Sequence, residues 1–421
     1  MKIAPIVLSG FYFIQASFAA TPEVISYDSL PGLVGSRNEN VQAAQSSLKA
    51  KEKRTGSFTR SFLPSLSVEV GGEEFKAGRD AAARRENWKV SGELNLFRGG
   101  RDRLEGKIRE EETLGARAEL QKDYADELKV ARQTFWKLVA VNQILAQRAE
   151  GLEKNKTSLK AAQKRAGAGT ATAADTIQFE LHDTLLRQDL KKLELERDLL
   201  RNRLSVAIGR DDHEGFVVPK EFPHPPDHLL VWPALDLERN ASVAMLRAKE
   251  RAEQLGISKA NYWWMPKIDA YANYGLPSLS EEYTRALRFE KEWVAGIRFG
   301  LDFGQGVEAR NLGQAKTFEA EAAQKRASRR IREAMAEDHE LRHNLTLLHE
   351  LLHDADADIK KAERFLKLTE LEYTRGVKNG PDMLGAFQRY YDFLQRRTEL
   401  YREFHGTQAE LFALLATDAA E

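Results

Sequence analysis

Two stretches read His-Glu-x-x-His: His339-Glu-Leu-Arg-His343 and His349-Glu-Leu-Leu-His353. On a helix, histidines four apart share a face and can hold Zn²⁺, with the intervening glutamate as general base; that is the arrangement of a zinc metalloprotease. The chemistry also needs a third protein ligand and a substrate cleft, and no other residue stands out for either role. Leu341, Leu345, Leu348 and Leu352 define a packing seam through the same window. A wheel of about 100° per residue turns His339, His343 and His353 away from that seam and puts His349 at its flank. A solvated helix face is therefore the reading adopted, with adventitious metal binding secondary and a peptidase remote. No Gly-rich loop precedes a Lys-Ser/Thr pair, and no Ser-His-Asp set has supporting context. The expectation is a protein that is not an enzyme and needs no cofactor.

What must be positioned is thus a surface rather than a catalytic centre. The chain has 421 residues, with 64 basic and 64 acidic side chains and no cysteine. Zero net charge gives no reason to expect nucleic acid as a partner. The lack of cysteine removes disulfides, thiolate metal sites and an acylated N-terminus. A mean hydropathy of -0.52 excludes a polytopic helical membrane protein, yet a β-barrel hides its alternating pattern in such an average. Residues 1–19 read as a signal peptide: Lys2 supplies the charge, Ile3 to Ile14 the apolar stretch, and Ser17-Phe18-Ala19 the cleavage site.

The chain repeats itself. Phe97 and Gly100 recur as Phe303 and Gly306; Gly169 and Asp175 recur as Gly376 and Asp382. Two separated landmarks at nearly one offset point to duplication. The first repeat is taken as 20–210, the second as 234–421, and the linker between them, 211–233, holds five of the twelve prolines.

Each repeat contains a hairpin whose residues alternate with period two, with strands expected at about 64–74, 87–98, 266–276 and 292–303. Roughly ten residues suffice for a tilted strand to cross a bilayer. The apolar faces carry Leu66, Val68, Val70, Trp88, Val90, Ile268, Trp293 and Ile297. The opposite faces carry both charge signs, Glu69, Lys89, Glu93, Lys267, Asp269, Arg298 and Asp302, and these are expected to line a lumen. Trp88, Phe97, Trp263, Trp264, Trp293 and Phe303 fall near strand ends, as a membrane girdle requires. Outer-membrane lipid is then a contact of the outer face.

The remainder is helical. From Arg101 to about Arg165 there is no proline, which allows a helix on the order of 100 Å. Its apolar residues step by three and four through Tyr124, Leu128, Ala131, Phe135 and Leu138; Leu384, Phe387, Tyr391, Leu394, Thr398 and Tyr401 do the same. Such a period implies long antiparallel coiled-coil helices that need neighbours along their length. Four strands cannot close a barrel, so several copies must pool their hairpins.

Three sequence features resemble the TolC family of outer-membrane efflux proteins. A "Leu-x-x-Asn-x-x-Val" helix start precedes the second hairpin as Leu237-Glu-Arg-Asn-Ala-Ser-Val243, and more loosely the first as Ser36 to Val41. "Leu-Phe-x-Gly-Gly-Arg" follows the first hairpin as Leu96 to Arg101 and is weakened after the second to Asp302-Phe-Gly-Gln-Gly-Val307. The far helical turn keeps Arg165, Gly169 and Asp175; the second copy keeps Gly376 and Asp382, with Glu372 at the Arg position.

The resemblance implies a homotrimer forming a twelve-stranded barrel above a periplasmic α-helical tube, in the outer membrane of a Gram-negative bacterium. It implies a passive channel, with a periplasmic adaptor and an inner-membrane pump or secretion ATPase as partners. It implies a periplasmic gate of Asp175, Tyr373, Lys378 and Asp382, and a turn of Arg165, Gly169 and Gly376 that meets the adaptor. One position departs: a second aspartate common in the family is here Gly385. The competing class is a periplasmic coiled-coil scaffold whose hairpins are soluble.

Overall fold

The computed structural model describes residues 23–59, 63–75, 83–169, 172–211, 215–223, 232–276, 291–301 and 306–416. The expected signal peptide, Asp302, Phe303 and parts of the linker lie outside the described residues.

Seven helices are described: α1 (Leu30–Arg37), α2 (Glu39–Thr59), α3 (Arg101–Gly167), α4 (Ala173–Ala207), α5 (Ala241–Asn261), α6 (Gly306–Thr374) and α7 (Gly380–Leu415). The expected long helix from Arg101 is α3, at 67 residues, and its counterpart α6 has 69. Among the described residues no helix is long and apolar enough to cross a membrane.

The strands are β1 (Glu23–Val24), β2 (Ser65–Phe75), β3 (Ala83–Phe97), β4 (Phe216–Val217), β5 (Lys267–Leu276) and β6 (Glu292–Gly300). The four long ones form one sheet in the order β2-β3-β5-β6, all antiparallel. The two hairpins therefore join through β3 and β5, so each repeat supplies half a sheet and one edge. Period-two alternation holds across the four strands because the register keeps like with like, up to a register shift between Asn95 and Phe97 that places Phe97 opposite Ile268. Val68, Val90, Tyr274 and Trp293 form one cross-strand row, and Leu94, Ala270 and Ile297 another.

Contacts divide the chain into two compact units that cut across the repeats: Met1–Leu30, Thr134–His224 and Ile359–Thr398 in one; Pro31–Gln133, Pro225–Asp358 and Glu399–Glu421 in the other. The first unit contains the parallel β1–β4 pair and an aromatic stack in which the Trp136 ring lies 5.2 Å from Tyr27 and 5.5 Å from Phe222. It also contains a core where α3, α4, α6 and α7 meet through Ala162, Phe179, Leu366, Tyr373, Met383 and Phe387. The second unit contains the sheet. There Asn240 caps α5 through the Val243 N–H, and its amide donates to the Leu414 carbonyl at 2.9 Å. This gives a physical reason for the asparagine in the "Leu-x-x-Asn-x-x-Val" start: one side chain satisfies two helix ends.

Candidate functional site

The sheet comes first. Glu69 stands opposite Lys89, Lys89 opposite Gly275, and Gly275 opposite Glu292; Asn95, Asp269 and Arg298 form a second polar row. Glu93 pairs with Tyr271, and Lys267 with Gly300. All six described lumen candidates thus occupy one face. Gly296 leaves room for the Tyr271 ring, whose hydroxyl would lie 3.0 Å from a Cβ there, and the Arg298 guanidinium sits 4.9 Å from the centre of that ring. The other face is apolar and bare: Val70 and Trp293 are 79% and 75% exposed in the single chain. Trp88, Tyr274 and Trp293 cluster toward one end of it; Phe97 and Phe299 lie toward the other. Trp264 is exposed in the turn before β5, and Trp263 packs its ring against Gly306.

Where the sheet hands over to helix, the Gly-Gly-Arg sequence has a local cause. Gly99 and Gly100 adopt φ of 68° and 74°, where side chains are disfavoured. A Cβ on Gly99 would lie 2.2 Å from the Met265 side chain. Arg101 then donates to the carbonyls of Trp263 and Met265, at 3.0 and 3.3 Å, and so ties the start of α3 to the turn that launches β5.

At the far ends of the helices stand the two turns. Gly169 and Gly376 have φ of 75° and 79°, the left-handed conformation a helix ending uses. Asp175 lies in the first turn of α4 and forms a capping box with Thr172. In the second repeat the Asp382 N–H donates to the Asn379 side chain at 3.1 Å, and the Asn379 N–H to the Asp382 carboxylate at 3.4 Å. The capping spacing, Thr172-x-x-Asp and Asn379-x-x-Asp, was visible in the sequence and is the signal that identifies both caps.

Two further contacts cross between the repeats. Arg165 donates to the Tyr373 carbonyl at 2.7 Å, with its guanidinium 4.6 Å from the Tyr373 ring centre. Asp175 accepts from the Gly380 N–H at 3.3 Å. A cation thus meets the carbonyl end of α6 and an anion meets the N–H end of α7, each favoured by the helix dipole. Tyr373 is buried, with its ring edge-on to Phe179 at 6.2 Å. Burial pushes its hydroxyl pKa up; the Arg165 charge opposes this and Asp175 adds to it. The structure therefore brings together Arg165, Asp175 and Tyr373 of the expected set. Lys378 is half-buried and makes no ion pair with them among the described residues.

The histidines of α6 behave as a surface. His339, His343 and His353 are exposed and His349 is half-buried. Among the described residues no group of three or more His, Cys, Asp or Glu is placed to hold a metal.

This fold is shared by solved outer-membrane channels. CusC, described as undergoing conformational changes on folding and transmembrane channel formation, superposes with a TM-score of 0.80 at 14% identity, covering 92% of this chain and 91% of that one. The outer membrane protein VceC of Vibrio cholerae gives 0.80 at 14% identity, covering 93% and 96%. The CmeC outer membrane channel of Campylobacter jejuni gives 0.79 at 12% identity, covering 93% and 85%. No curated protein matches the sequence. Fold and sheet together define the class, a chain of the outer-membrane channel architecture. Residues 232–417 match the family model of the outer membrane efflux proteins, which bears out the TolC resemblance. The family and its structural neighbours are outer-membrane channels rather than enzymes, which agrees with setting the His-Glu-x-x-His stretches aside.

Proposed function

We propose that this chain is one third of a passive outer-membrane duct that serves as the exit of a tripartite efflux pump or a type I secretion system. The observation that carries this reading is the sheet. Four antiparallel strands have one apolar and one charged face, and among the described residues nothing pairs with the outer edges of β2 and β6. An open apolar sheet of this kind is stable when the edges of further copies close it and lipid covers its outside. Three copies give twelve strands. Energy and choice of cargo then belong to an inner-membrane pump or secretion ATPase, linked through a periplasmic adaptor that meets the helical turns at Arg165, Gly169 and Gly376.

In this reading the turns are the gate. Within one chain Asp175 and Arg165 hold the second-repeat turn; Asp382 caps α7, and Lys378 is left to act between copies. The test is extraction and migration. Membranes should release the protein only with detergent, as a species of three chains that dissociates on heating. Release of folded monomer by osmotic shock would support the scaffold reading instead.

A further inference from the structure

We propose that His339 and His343 form a surface chelate for a borderline divalent ion, Zn²⁺, Ni²⁺ or Cu²⁺, held across one turn of α6. The site belongs to one helix of one chain and does not depend on the channel reading.

The two His-Glu-x-x-His stretches look equivalent in sequence but differ in the structure. His339 and His343 are both exposed. Among the described residues neither imidazole takes part in a hydrogen bond, an ion pair or a ring contact. In the second stretch His349 is half-buried and already engaged by a neighbour, so only His353 is left to ligate.

The helix supplies the geometry, since α6 runs unbroken through both residues. Side chains four apart stand about 5–6 Å from one another at Cβ. Two imidazoles close that span by turning toward an ion about 2.0–2.1 Å from each ring nitrogen. The backbone is already ordered, so binding fixes only side-chain rotamers.

Local charge does not oppose a cation there. Arg342 lies between the two histidines in sequence but is drawn elsewhere. Its Nε meets both Asp338 oxygens at 2.9 Å, and its terminal nitrogens donate to the Trp232 and Pro233 carbonyls at 3.3 and 2.5 Å. Glu340, in the same turn, is exposed and adds negative charge.

The donor set selects the ion. Two neutral ring nitrogens suit borderline transition ions, whereas Ca²⁺ and Mg²⁺ demand oxygen. With two protein ligands the remaining positions belong to water, and the ion exchanges readily. The pair is therefore neither a structural zinc site, which closes with four protein ligands, nor the three-ligand centre of a peptidase. An occupied site clips the turn of α6 from which Arg342 holds the end of the linker.

The test is calorimetry with ZnCl₂ on the purified, tag-free chain. The unsubstituted protein should take up one zinc per chain, and excess Mg²⁺ or Ca²⁺ should not compete. His339→Ala and His343→Ala should each abolish that uptake, while His349→Ala with His353→Ala should keep it. Circular dichroism of each variant separates loss of a ligand from loss of fold. Hydrogen exchange gives a second readout: zinc should slow the amides of residues 343–347 in the unsubstituted protein but not in His343→Ala. No stoichiometric uptake by the unsubstituted chain would overturn the proposal. So would uptake that survives His339→Ala or His343→Ala in folded protein, which marks an adventitious ion only, or uptake lost in the His349→Ala and His353→Ala protein.

Discussion

Arg165→Gln should loosen the helical turns and open the channel. Arg165 contributes one hydrogen bond from a charged donor to the Tyr373 carbonyl at 2.7 Å and one cation–π contact at 4.6 Å. The first is worth about 1.5–3 kcal/mol net and the second about 0.5–1 kcal/mol at a partly exposed site. Taking the low ends, the tie contributes about 2 kcal/mol per chain, roughly a 30-fold bias toward the held turn at 1.4 kcal/mol per tenfold. Three copies opening together would lose about 6 kcal/mol, enough to invert a closed equilibrium. The assay is single-channel recording in planar bilayers, scoring the fraction of time in the high-conductance state. Arg165→Lys keeps the charge but not the planar fork and should be intermediate. Tyr373→Phe keeps both the ring and the carbonyl and should stay closed. Intact Arg165→Gln trimers that conduct as the unsubstituted protein does would refute the reasoning. So would a Tyr373→Phe channel as open as Arg165→Gln.

Other substitutions test the remaining elements. Gly99→Ala combines a φ of 68° with a 2.2 Å approach to Met265 and should abolish trimer assembly, whereas Gly100→Ala, whose nearest neighbour would be at 3.8 Å, should cost only the backbone strain of about 1–2 kcal/mol. Gly151→Ala would put a methyl 3.1 Å from the buried Tyr391 ring, and thermal melts should fall by the equivalent of about 1–3 kcal/mol. Hydrogen bonding to Lys259 holds the Glu105 carboxyl below its ordinary range against the opposing effect of burial. Its stabilisation is therefore complete above the ordinary carboxylate pKa and lost as pH falls through the lowered one. Melts of Glu105→Gln should lie slightly below the unsubstituted protein near neutrality, by about 0–1 kcal/mol, and the difference should vanish in acid.

The strands were legible because alternation is local: Leu66, Val68 and Val70 on one face and Glu69 on the other need no tertiary knowledge. The long helices were legible for the same reason, since Arg101 to Gly167 contains no breaker strong enough to end it. The turn glycines and aspartates were found by repetition. What could not be read were contacts set by distant chain. The partner of Arg165 is a backbone carbonyl 208 residues away, which no side-chain motif encodes. The role of Arg101 is likewise fixed by carbonyls in another turn. The resemblance named Lys378 beside Asp175, but in the single chain Asp175 is taken up by Thr172 and Gly380.

The central claim is that the charged face of the sheet meets water inside a membrane pore while the other face meets lipid. Single cysteines in this cysteine-free chain test it directly, using a water-soluble maleimide on protein in intact outer membranes. Cysteines at Ser67, Lys89, Asn273 and Arg298 should react, and those at Val68, Val90, Ala272 and Ile297 should be protected until detergent is added. Equal labelling of both sets in the membrane would contradict the account.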